Sequence, residues 1–474
     1  MIRININKSI PEGSSIVLLA TSDSNFGNVG LSEEDIHYVK TQMNVQSNLI
    51  ALNKSGRWVF VQPVDPANVS GKEKEKMRNN AYKLHQIVTQ QKISLLALVD
   101  LTGNVALTSA FAEGMALSNY QFLKYTAKKA EKQYSLSELI LVGTDVPTEI
   151  DQLNCVLDAV FKTRDLENEP ANVITPVRFA VEIEAMGKEA GFEVQVFNKD
   201  AIEKMKMGGL LAVNKGSTEA PTFSVLEWKP AAAKNERPVV LVGKGVTFDS
   251  GGHNLKTGDY MNDMKDDMAG GAAVAAVIYA VAKSQLPIHV VGLIPSTDNR
   301  ISPDACSPGD IIIMYNGTTV EVTNTDAEGR LIMADALTYA KKCDPELVID
   351  MATLTGSAQR ALGDKGIAMM GNASRETMDR LKRCGESVHE RLVEFPLWEE
   401  YAEYLQSDIA DLKNAGGKFA GMITAGKFLE HFTAYPFIHL DIAGVAFTEE
   451  CSSYRGKGGT GTGVRLLFDF LKNY

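Results

Sequence analysis

Residues 238–252 read PVVLVGKGVTFDSGG, an apolar run followed at once by Lys244 and then by Asp249. Near-continuous apolar runs are typical of strands in a sheet that is buried on both faces. Similar runs lie at IHVVGLIP (288–295), IIIMYN (311–316), ELVIDMATLT (346–355) and FIHLDIAG (437–444). Helical patterns lie between or beside them at 269–284, 330–342, 375–392 and 420–432. This alternation predicts an α/β domain, in which ligands bind beyond the carboxyl ends of the strands.

The first 145 residues contain a second set of apolar runs, which predicts strands at 15–22, 47–53, 57–64, 93–101 and 138–145. Helices are predicted at 72–91 and from about 147 to 162. The segment 163–176 has two prolines and the composition of a linker. We therefore expect an α/β protein of two domains. A smaller N-terminal α/β domain covers 1–170, with a connecting helix at about 147–170, and a C-terminal domain with a mixed central sheet flanked by helices covers 171–474.

Composition and charge narrow the class of protein. The chain has 474 residues and a formal net charge of −11, which argues against general nucleic-acid binding because that binding depends on basic surface. No run of 18 apolar residues and no signal-like start is present, so neither a membrane span nor secretion is expected. Five dispersed cysteines without a C-x-x-C pair indicate reduced thiols. These features favour a cytoplasmic protein.

Carboxylates are concentrated in NTDAEGRL, residues 324–331. In extended backbone, Asp326, Glu328 and Arg330 would share one face. Neighbouring carboxylates repel one another, and either a salt bridge to an arginine or a bound cation relieves the repulsion. From this segment alone, a surface salt-bridge cluster and a metal site are equally good interpretations.

Two further clusters follow predicted strands or precede helices. In VGKGVTFDSGGHNLK (242–256), Lys244 directly follows an apolar strand, Asp249 is predicted to lie within a glycine- and serine-rich turn, and Lys256 closes the loop. Such glycine density is typical of close backbone approach to a ligand or another strand; a plain turn with a solvated lysine is the alternative. In MKDDMAGG (264–271), Asp266 and Asp267 precede a helix, where an aspartate is commonly an N-cap. Together the three clusters bring candidate carboxylates and cations to the strand ends of one domain.

This combination of motifs resembles the leucyl aminopeptidase (cytosol aminopeptidase) family of two-metal exopeptidases. NTDAEGRL matches the signature octapeptide of that family, and VGKGVTFDSGG and MKDDMAGG match further motifs. Other matches are PANVITP (170–176), DMATLTG (350–356), HLDIAG (439–444) and GGTGTGVRLL (458–467), and 112–125 resembles part of the N-terminal domain. The resemblance covers essentially the whole chain and is strongest over 238–467. It implies that the C-terminal domain is a catalytic dimetal aminopeptidase domain.

The resemblance also implies a role for each matching residue. The implied metal ligands are Lys244, Asp249, Asp267, Asp326 and Glu328. Asp249 and Glu328 would bridge two ions. Lys244 and Asp267 would complete one metal site, and Asp326 would complete the other.

Two other matching residues, Lys256 and Arg330, are implied to be catalytic without binding metal, and Arg330 would hold a bicarbonate that shuttles the proton. Asp266 lies where the family varies and is interpreted as a helix cap or a surface charge.

Charge counting agrees with two divalent ions, since they balance four carboxylates. A metal-bound Lys244 must be neutral, and its deprotonation at pH 7 costs about 4.6 kcal/mol, which coordination must supply. The expected reaction is attack of a metal-activated water on the N-terminal peptide bond, with Zn or Mn as the metals.

The pocket for the first side chain of the substrate is implied to be lined by Met264, Thr353, Leu354, Gly356 and Ala443. Core packing is the alternative for Met264 and Leu354. The resemblance implies an apolar, leucine-like preference, and the small Ala446 predicts tolerance of Met and Phe as well. His253 and Asn254 depart from the apolar or small residues that are usual in their loop.

Two other functions use the same residues differently. A dinuclear site can hydrolyse phosphate esters, and a chain with an idle site can be a regulatory or DNA-binding protein. The apolar pocket argues against the first, and the intact catalytic positions and the net charge of −11 argue against the second. The expected partners are peptides with a free N-terminus and further copies of the chain in a homohexamer, with no membrane and no nucleic acid.

Overall fold

The computed structural model describes residues 2–27, 29–45, 47–143 and 146–474. The chain divides into two compact units. One holds the residues up to 158 with 387–389 and 450–456, and the other holds the rest. The division falls between Asp158 and Ala159, inside the helix Pro147–Asn168. The helix runs through 163–168, so the prediction of a linker is wrong for that part of 163–176.

The N-terminal unit is built on a six-stranded sheet of order β1-β6-β5-β2-β4-β3 within the described residues. Only the pair β3–β4 is antiparallel among these neighbours. The predicted strands are present with shifted ends, and the last two residues of the 138–145 prediction lie outside the described residues. The elements are β1 (Arg3–Asn7), β2 (Ser15–Ala20), α1 (Glu33–Asn44), β3 (Ile50–Lys54), β4 (Arg57–Pro63), α2 (Gly71–Gln90), β5 (Leu95–Asp100), α3 (Val105–Ser118), α4 (Lys129–Lys132), β6 (Glu138–Val142) and α5 (Pro147–Asn168).

The C-terminal unit contains a second, larger sheet and the helices around it. Four short 3-10 helices lie in its connections, at Gly258–Met261, Met264–Asp266, Lys341–Cys343 and Glu399–Leu405. Its helices are α6 (Pro176–Ala190), α7 (Lys199–Met205), α8 (Gly208–Asn214), α9 (Ala269–Lys283), α10 (Glu328–Ala340), α11 (Gly356–Leu362), α12 (Arg375–Val388), α13 (Gly421–Glu430) and α14 (Val464–Lys472). Its strands are β7 (Glu193–Phe197), β8 (Thr222–Trp228), β9 (Val239–Gly243), β10 (Gly245–Asp249), β11 (Val290–Asn299), β12 (Ile311–Ile313), β13 (Thr319–Glu321), β14 (Leu347–Ala352), β15 (Ile367–Gly371), β16 (Leu392–Glu394), β17 (Leu412–Lys413), β18 (Phe437–Asp441), β19 (Phe447–Thr448) and β20 (Gly458–Gly459).

The main sheet of this unit has the strand order β16-β15-β18-β14-β9-β11-β8-β7, with β10 pairing with β11. The central strands β18, β14, β9 and β11 run parallel, whereas β15 and β8 pair antiparallel with their inner neighbours. Every residue of β9, β14 and β18 is buried, and α9 and α10 pack against β9. This burial explains the near-continuous apolar runs, and the prediction of an α/β fold with a mixed central sheet is confirmed.

The carboxyl ends of the parallel strands lie at one edge of the sheet, where ligand sites are expected. Lys244 follows β9, Thr353 follows β14, and Asp441 is the last residue of β18. Asp249 is the last residue of β10, which pairs with β11. Four strand ends therefore deliver four polar residues to the same edge.

Two local predictions about this edge are wrong. The segment NTDAEGRL is not extended, because Glu328 and Arg330 lie in the first turn of α10 and Asp326 lies in the turn before it. Asp249 ends a strand rather than lying within the glycine-rich turn. A helix start, not a strand face, therefore brings the carboxylates of this segment together.

None of the helices in the described ranges is long and apolar enough to cross a bilayer. None of the five cysteines forms a disulfide in the part of the chain that the structure describes.

Gly270, in the first turn of α9, provides a test of how tightly this edge is packed. A Cβ atom at Gly270 would overlap the backbone carbonyl of Met351 in β14, and backbone cannot move aside as a flexible side chain can. We expect Gly270→Ala to lower the free energy of unfolding by about 3 kcal/mol, at the upper end of overpacking costs, as measured by urea denaturation. Gly366→Ala is the matched control, because the nearest atom to its added Cβ lies 3.5 Å away. Equal stability of the two variants would contradict the prediction.

Candidate functional site

Four carboxylates from three chain segments meet at the carboxyl edge of the main sheet. One ends β10, one lies two residues before α9, and two flank the start of α10. Three of them offer oxygen atoms that all lie within 4.8 Å of one another. We call this group the acidic cluster: Asp249, Asp267, Asp326 and Glu328.

The Lys244 ammonium is buried between two members of the acidic cluster. Its Nζ lies 2.7 Å from Asp267 Oδ1 and 2.9 Å from Glu328 Oε1, and it donates to the carbonyl of Thr353 at 3.0 Å. Lys244 is 2% exposed. Gly329 makes room for it, because a Cβ at position 329 would lie 2.5 Å from Lys244 Cε. This half of the cluster is therefore closed to solvent.

Lys256 pairs with the other half of the cluster. Its Nζ lies 2.8 Å from Asp249 Oδ2 and 2.6 Å from Asp326 Oδ1. The side chains of Lys256 and Asp326 are 15% and 32% exposed. This half is open to solvent, so a ligand would reach the cluster from the side of Lys256 and Asp326.

Burial and mutual repulsion change the pKa values of the cluster. Burial raises the pKa of Asp267 well above its usual value and raises that of Asp326 to about 7, and the repulsion from neighbouring carboxylates adds to both effects. Burial and the charge of Glu328 likewise raise the pKa of Asp249. Burial also acts to raise the pKa of Glu328, but the two lysines outweigh it and lower that pKa.

The two lysines of the cluster respond in the opposite way. Burial alone would lower the pKa of Lys244 and of Lys256, but the surrounding carboxylates outweigh it and raise both pKa values above the ordinary range. Four carboxylates thus face only two ammonium groups, and a bound cation would relieve the repulsion that raises the pKa values of three of them.

The residues present fit divalent metal ions. Asp267 Oδ2 and Glu328 Oε2 are buried and have no hydrogen-bond partner among the described residues, and such oxygens are costly unless they bind a cation. Carboxylate oxygens suit ions such as Zn, Mn and Mg. The structure brings together all five residues that the sequence analysis named as ligands, which are Lys244, Asp249, Asp267, Asp326 and Glu328.

Arg330 lies in the same helix turn as Glu328 and is buried. Burial lowers the pKa of its guanidinium to about 10, against the attraction of Glu328 and Asp441, so the group stays protonated at neutral pH. Its Nη1 donates to the carbonyl of Asn414 at 2.8 Å, and its Nε has no hydrogen-bond partner in the described part of the chain. Arg330 therefore has donor capacity left for an anion.

Asn414 was not predicted from the sequence, although it supports both Arg330 and the turn that carries Asp326. Its Oδ1 accepts from the amides of Thr323 and Asn324 at 2.9 and 3.2 Å, and its Nδ2 donates to the carbonyl of Asn324 at 2.7 Å. No local pattern around residue 414 marks this role, because the contact joins segments that are 90 residues apart.

A second set of hydrogen bonds joins the loop after Asp249 to the NTDAEGRL turn. Asn299 Nδ2 donates to Asp249 Oδ1 at 2.8 Å and to the carbonyl of Thr325 at 3.1 Å. Asn254 and Thr325 exchange two bonds of 2.8 Å, each donating its amide to the other's side-chain oxygen. No signal in the sequence marked Asn299, because the strand predicted at 288–295 stops short of the observed end of β11 at Asn299, whereas Thr325 lies within the NTDAEGRL motif.

The predicted pocket residues lie around the same edge. Thr353 Oγ1 donates to Asp267 Oδ1 at 2.8 Å, and the amides of Leu354 and Ala443 both donate to Asp441 Oδ1 at 3.1 Å. The other two predicted residues are Met264, which begins the 3-10 helix just before Asp267, and Gly356, which begins α11.

Asp266 and His253 lie beside cluster residues in the sequence. Asp266 is 8% exposed, and burial raises its pKa to about 7, so the interpretation as a surface charge is wrong. His253 is exposed, and its ring lies 3.2 Å from Ser307 Oγ and 3.3 Å from the carbonyl of Ser302.

Comparisons with known proteins agree on one family. The family model described as "Cytosol aminopeptidase family, catalytic domain" matches residues 161–468. A probable cytosol aminopeptidase of Geobacter sp. (strain M21) is 41% identical over 406 residues, 84% of this chain and 82% of that protein. Another, of Chloroherpeton thalassium, is 45% identical over 352 residues, 73% of this chain and 69% of that protein.

Two solved structures resemble the whole chain. A bottromycin maturation enzyme in complex with Mn has a TM-score of 0.85 at 30% identity, with 97% of this chain and 99% of that chain covered. A mutant of tomato leucine aminopeptidase has a TM-score of 0.84 at 26% identity, with 100% of this chain and 97% of that chain covered.

The fit of the acidic cluster to metal predicts a stability change. We expect Mn²⁺ or Zn²⁺, returned to chelator-treated protein at about 100 times its dissociation constant, to stabilise the fold by about 2.7 kcal/mol per site, seen as a higher melting temperature. Asp249→Asn should lose most of this increase, because it removes charge where three carboxylates converge. Asp411→Asn, a change outside the cluster, should keep it. An Asp249→Asn variant with the full increase would rule out Asp249 as a ligand.

Proposed function

Because the chain belongs to the cytosol aminopeptidase family, we propose that it hydrolyses the N-terminal residue from peptides at a dinuclear metal site, with leucine and other apolar residues preferred. The observation that carries the proposal is the acidic cluster with its two lysines at the carboxyl edge of the main sheet. This edge lies within the segment matched by the catalytic-domain model, 161–468. The proposed catalytic domain covers 171–474 and the N-terminal domain covers 1–170.

The proposed metal ligands are the five residues described above, with Asp249 and Glu328 bridging. The metals are proposed to be Zn or Mn, and the Mn in one of the similar structures supports the second choice. When bound at such a site, divalent ions act as Lewis acids toward a carbonyl oxygen and lower the pKa of water.

Lys256 is proposed to bind the scissile carbonyl oxygen. Its ammonium is held by Asp249 and Asp326 in the open half of the cluster. Cations held by those carboxylates would take the place of the ammonium as their partner, and Lys256 would then be able to donate to the negative charge that develops on the carbonyl oxygen. Donors placed for such an oxyanion are commonly the largest single contribution to catalysis.

Arg330 is proposed to hold an anion, such as bicarbonate, that carries the proton from the attacking water to the leaving amine. The guanidinium is protonated, is fixed on one side by Asn414, and keeps Nε without a partner in the described chain. A buried cation with unused donors suits a small planar anion.

The pocket and the wider setting complete the proposal. The residues proposed to contact the N-terminal side chain are Met264, Thr353, Leu354, Gly356 and Ala443. Of these, Leu354 supplies apolar surface that packs against the core.

We also propose a homohexamer, which the particle mass from light scattering would test. A cytoplasmic location is proposed on the names of the relatives, which are cytosol aminopeptidases.

The first test compares Leu-Gly-Gly with its N-acetylated form. We expect release of leucine from the free peptide only, because acetylation removes the basicity of the amine that is proposed to bind at the metal pair. Chelation should abolish the release, and Mn²⁺ or Zn²⁺ should restore it. Cleavage of a phosphate ester without cleavage of the peptide would instead favour the phosphoesterase alternative, and no cleavage with metal bound would favour a regulatory role.

The second test concerns Lys256. We expect Lys256→Met to lower kcat by about 100- to 1,000-fold, the usual cost of removing an oxyanion donor, while the metal content stays at the wild-type value. Lys365→Met is the control, because the Lys365 side chain is 74% exposed and lies outside the site. If Lys256→Met retained the wild-type kcat, Lys256 would not stabilise the oxyanion.

A further inference from the structure

Residues 353–355, called the substrate loop below, connect β14 to α11. One end of this loop is bound to the acidic cluster. Thr353 Oγ1 donates to Asp267 Oδ1 at 2.8 Å, and the carbonyl of Thr353 accepts from Lys244 Nζ at 3.0 Å. The position of the loop relative to the cluster is therefore determined at Thr353.

The rest of the loop is held by a single carboxylate, that of Asp441. Its Oδ1 accepts from the amides of Leu354 and Ala443, both at 3.1 Å, and its Oδ2 accepts from Thr355 Oγ1 at 2.7 Å. Asp441 is 1% exposed. Buried polar oxygens are costly unless they accept hydrogen bonds, and these three donors satisfy both oxygens of Asp441, so the three contacts form one unit.

Thr355 extends this unit into α11. Its Oγ1 donates to Asp441 and also accepts from the amide of Ala358 at 3.1 Å, which makes Thr355 the N-cap of the helix. Breaking the contact between Thr355 and Asp441 therefore affects both the loop and the start of α11.

Leu354 and Ala443 are the two proposed pocket residues whose amides share one oxygen of Asp441. They belong to different strand ends, β14 and β18, which are level at Ala352 and Asp441. The amide of Ile442 donates to the carbonyl of Ala352 at 2.9 Å and joins the two strand ends. Beyond that bond, the backbone at Leu354 and at Ala443 is joined through the Asp441 carboxylate.

We propose that Asp441 is a positioning residue that sets the width of the pocket for the N-terminal side chain and so determines the preference for large apolar residues. The inference rests on the proposed function. Asp441 donates nothing to the substrate and binds no metal in this proposal. It acts through the backbone of Leu354 and Ala443.

The test uses Asp441→Asn. The asparagine side chain has one acceptor oxygen instead of two. If that oxygen accepts from the backbone amides of Leu354 and Ala443, the hydrogen bond from Thr355 is lost. If the side chain is turned the other way, its NH₂ group faces those two backbone amides, which then lose their acceptor. We expect the ratio of kcat/KM for N-terminal Leu over N-terminal Ala to fall about tenfold, within the range set by a few methylene groups. The KM for the leucine substrate should rise, and the bound metal should not change.

Two threonine variants keep the test decisive if Asp441→Asn folds poorly. Thr355→Val removes one of the three contacts and should lower the same ratio, whereas Thr355→Ser keeps the hydroxyl and should restore the wild-type ratio. Asp350→Asn is the control for loss of a buried carboxylate from the neighbouring strand. Its carboxylate pairs with His439 at 2.5 Å, so the variant should lose stability without a change in the ratio.

The outcomes separate this inference from the proposed function. An active wild-type enzyme whose Asp441→Asn and Thr355→Val variants keep the wild-type Leu/Ala ratio would overturn the inference alone. The same loss of ratio in Asp350→Asn would also overturn it, since any loss of packing would then suffice. A metal-loaded wild type that cleaves neither substrate would overturn the proposed function and the inference with it.

Discussion

Four carboxylates that share one buried volume are the constraint on which the rest of this structure depends. A folded chain cannot leave such a group uncompensated, because buried charge without a partner is among the most costly arrangements in a protein. Here the two lysines supply half of the compensating charge, and they are themselves held by the carboxylates. A bound cation would relieve the remaining imbalance, so the proposed chemistry of the site follows from the same buried carboxylates that the fold has to accommodate.

The sheet makes this arrangement possible because its parallel central strands end together. Close approach of backbone then allows the side chains to converge: Gly329 leaves space for Lys244, and Gly270 lets α9 rest on β14. Hydrogen bonds from Asn299, Thr325 and Asn414 keep the loops in place. These bonds hold the residues that would bind the cations, and Lys256 and Asp326 are the partly exposed members of the group.

The main features of the fold could be predicted from the sequence because buried parallel strands leave long apolar runs. The candidate ligands could be named because they lie within short motifs. Their local structure was predicted wrongly, because Asp326 and Glu328 were expected in extended backbone and lie at the start of a helix. The prediction of a linker at 163–168 was wrong because its polar residues suggested an exposed segment. Arg164 and Asn168 are instead buried in a helix, where they hydrogen-bond the backbone of the distant Gly459. Asn414 could not have been found, since its importance comes from partners that only the folded chain brings near.

The three contacts of Asp441 have a consequence for how such a pocket can diversify. Two of its partners are main-chain amides, and a main-chain amide is present whatever side chain the residue carries, proline excepted. Substitutions at positions 354 and 443 can therefore alter the size and polarity of the pocket while the scaffold that spaces the two walls persists. Substrate range can therefore change through these positions while the rest of the site stays the same, whereas a change at position 441 alters both of these walls at once.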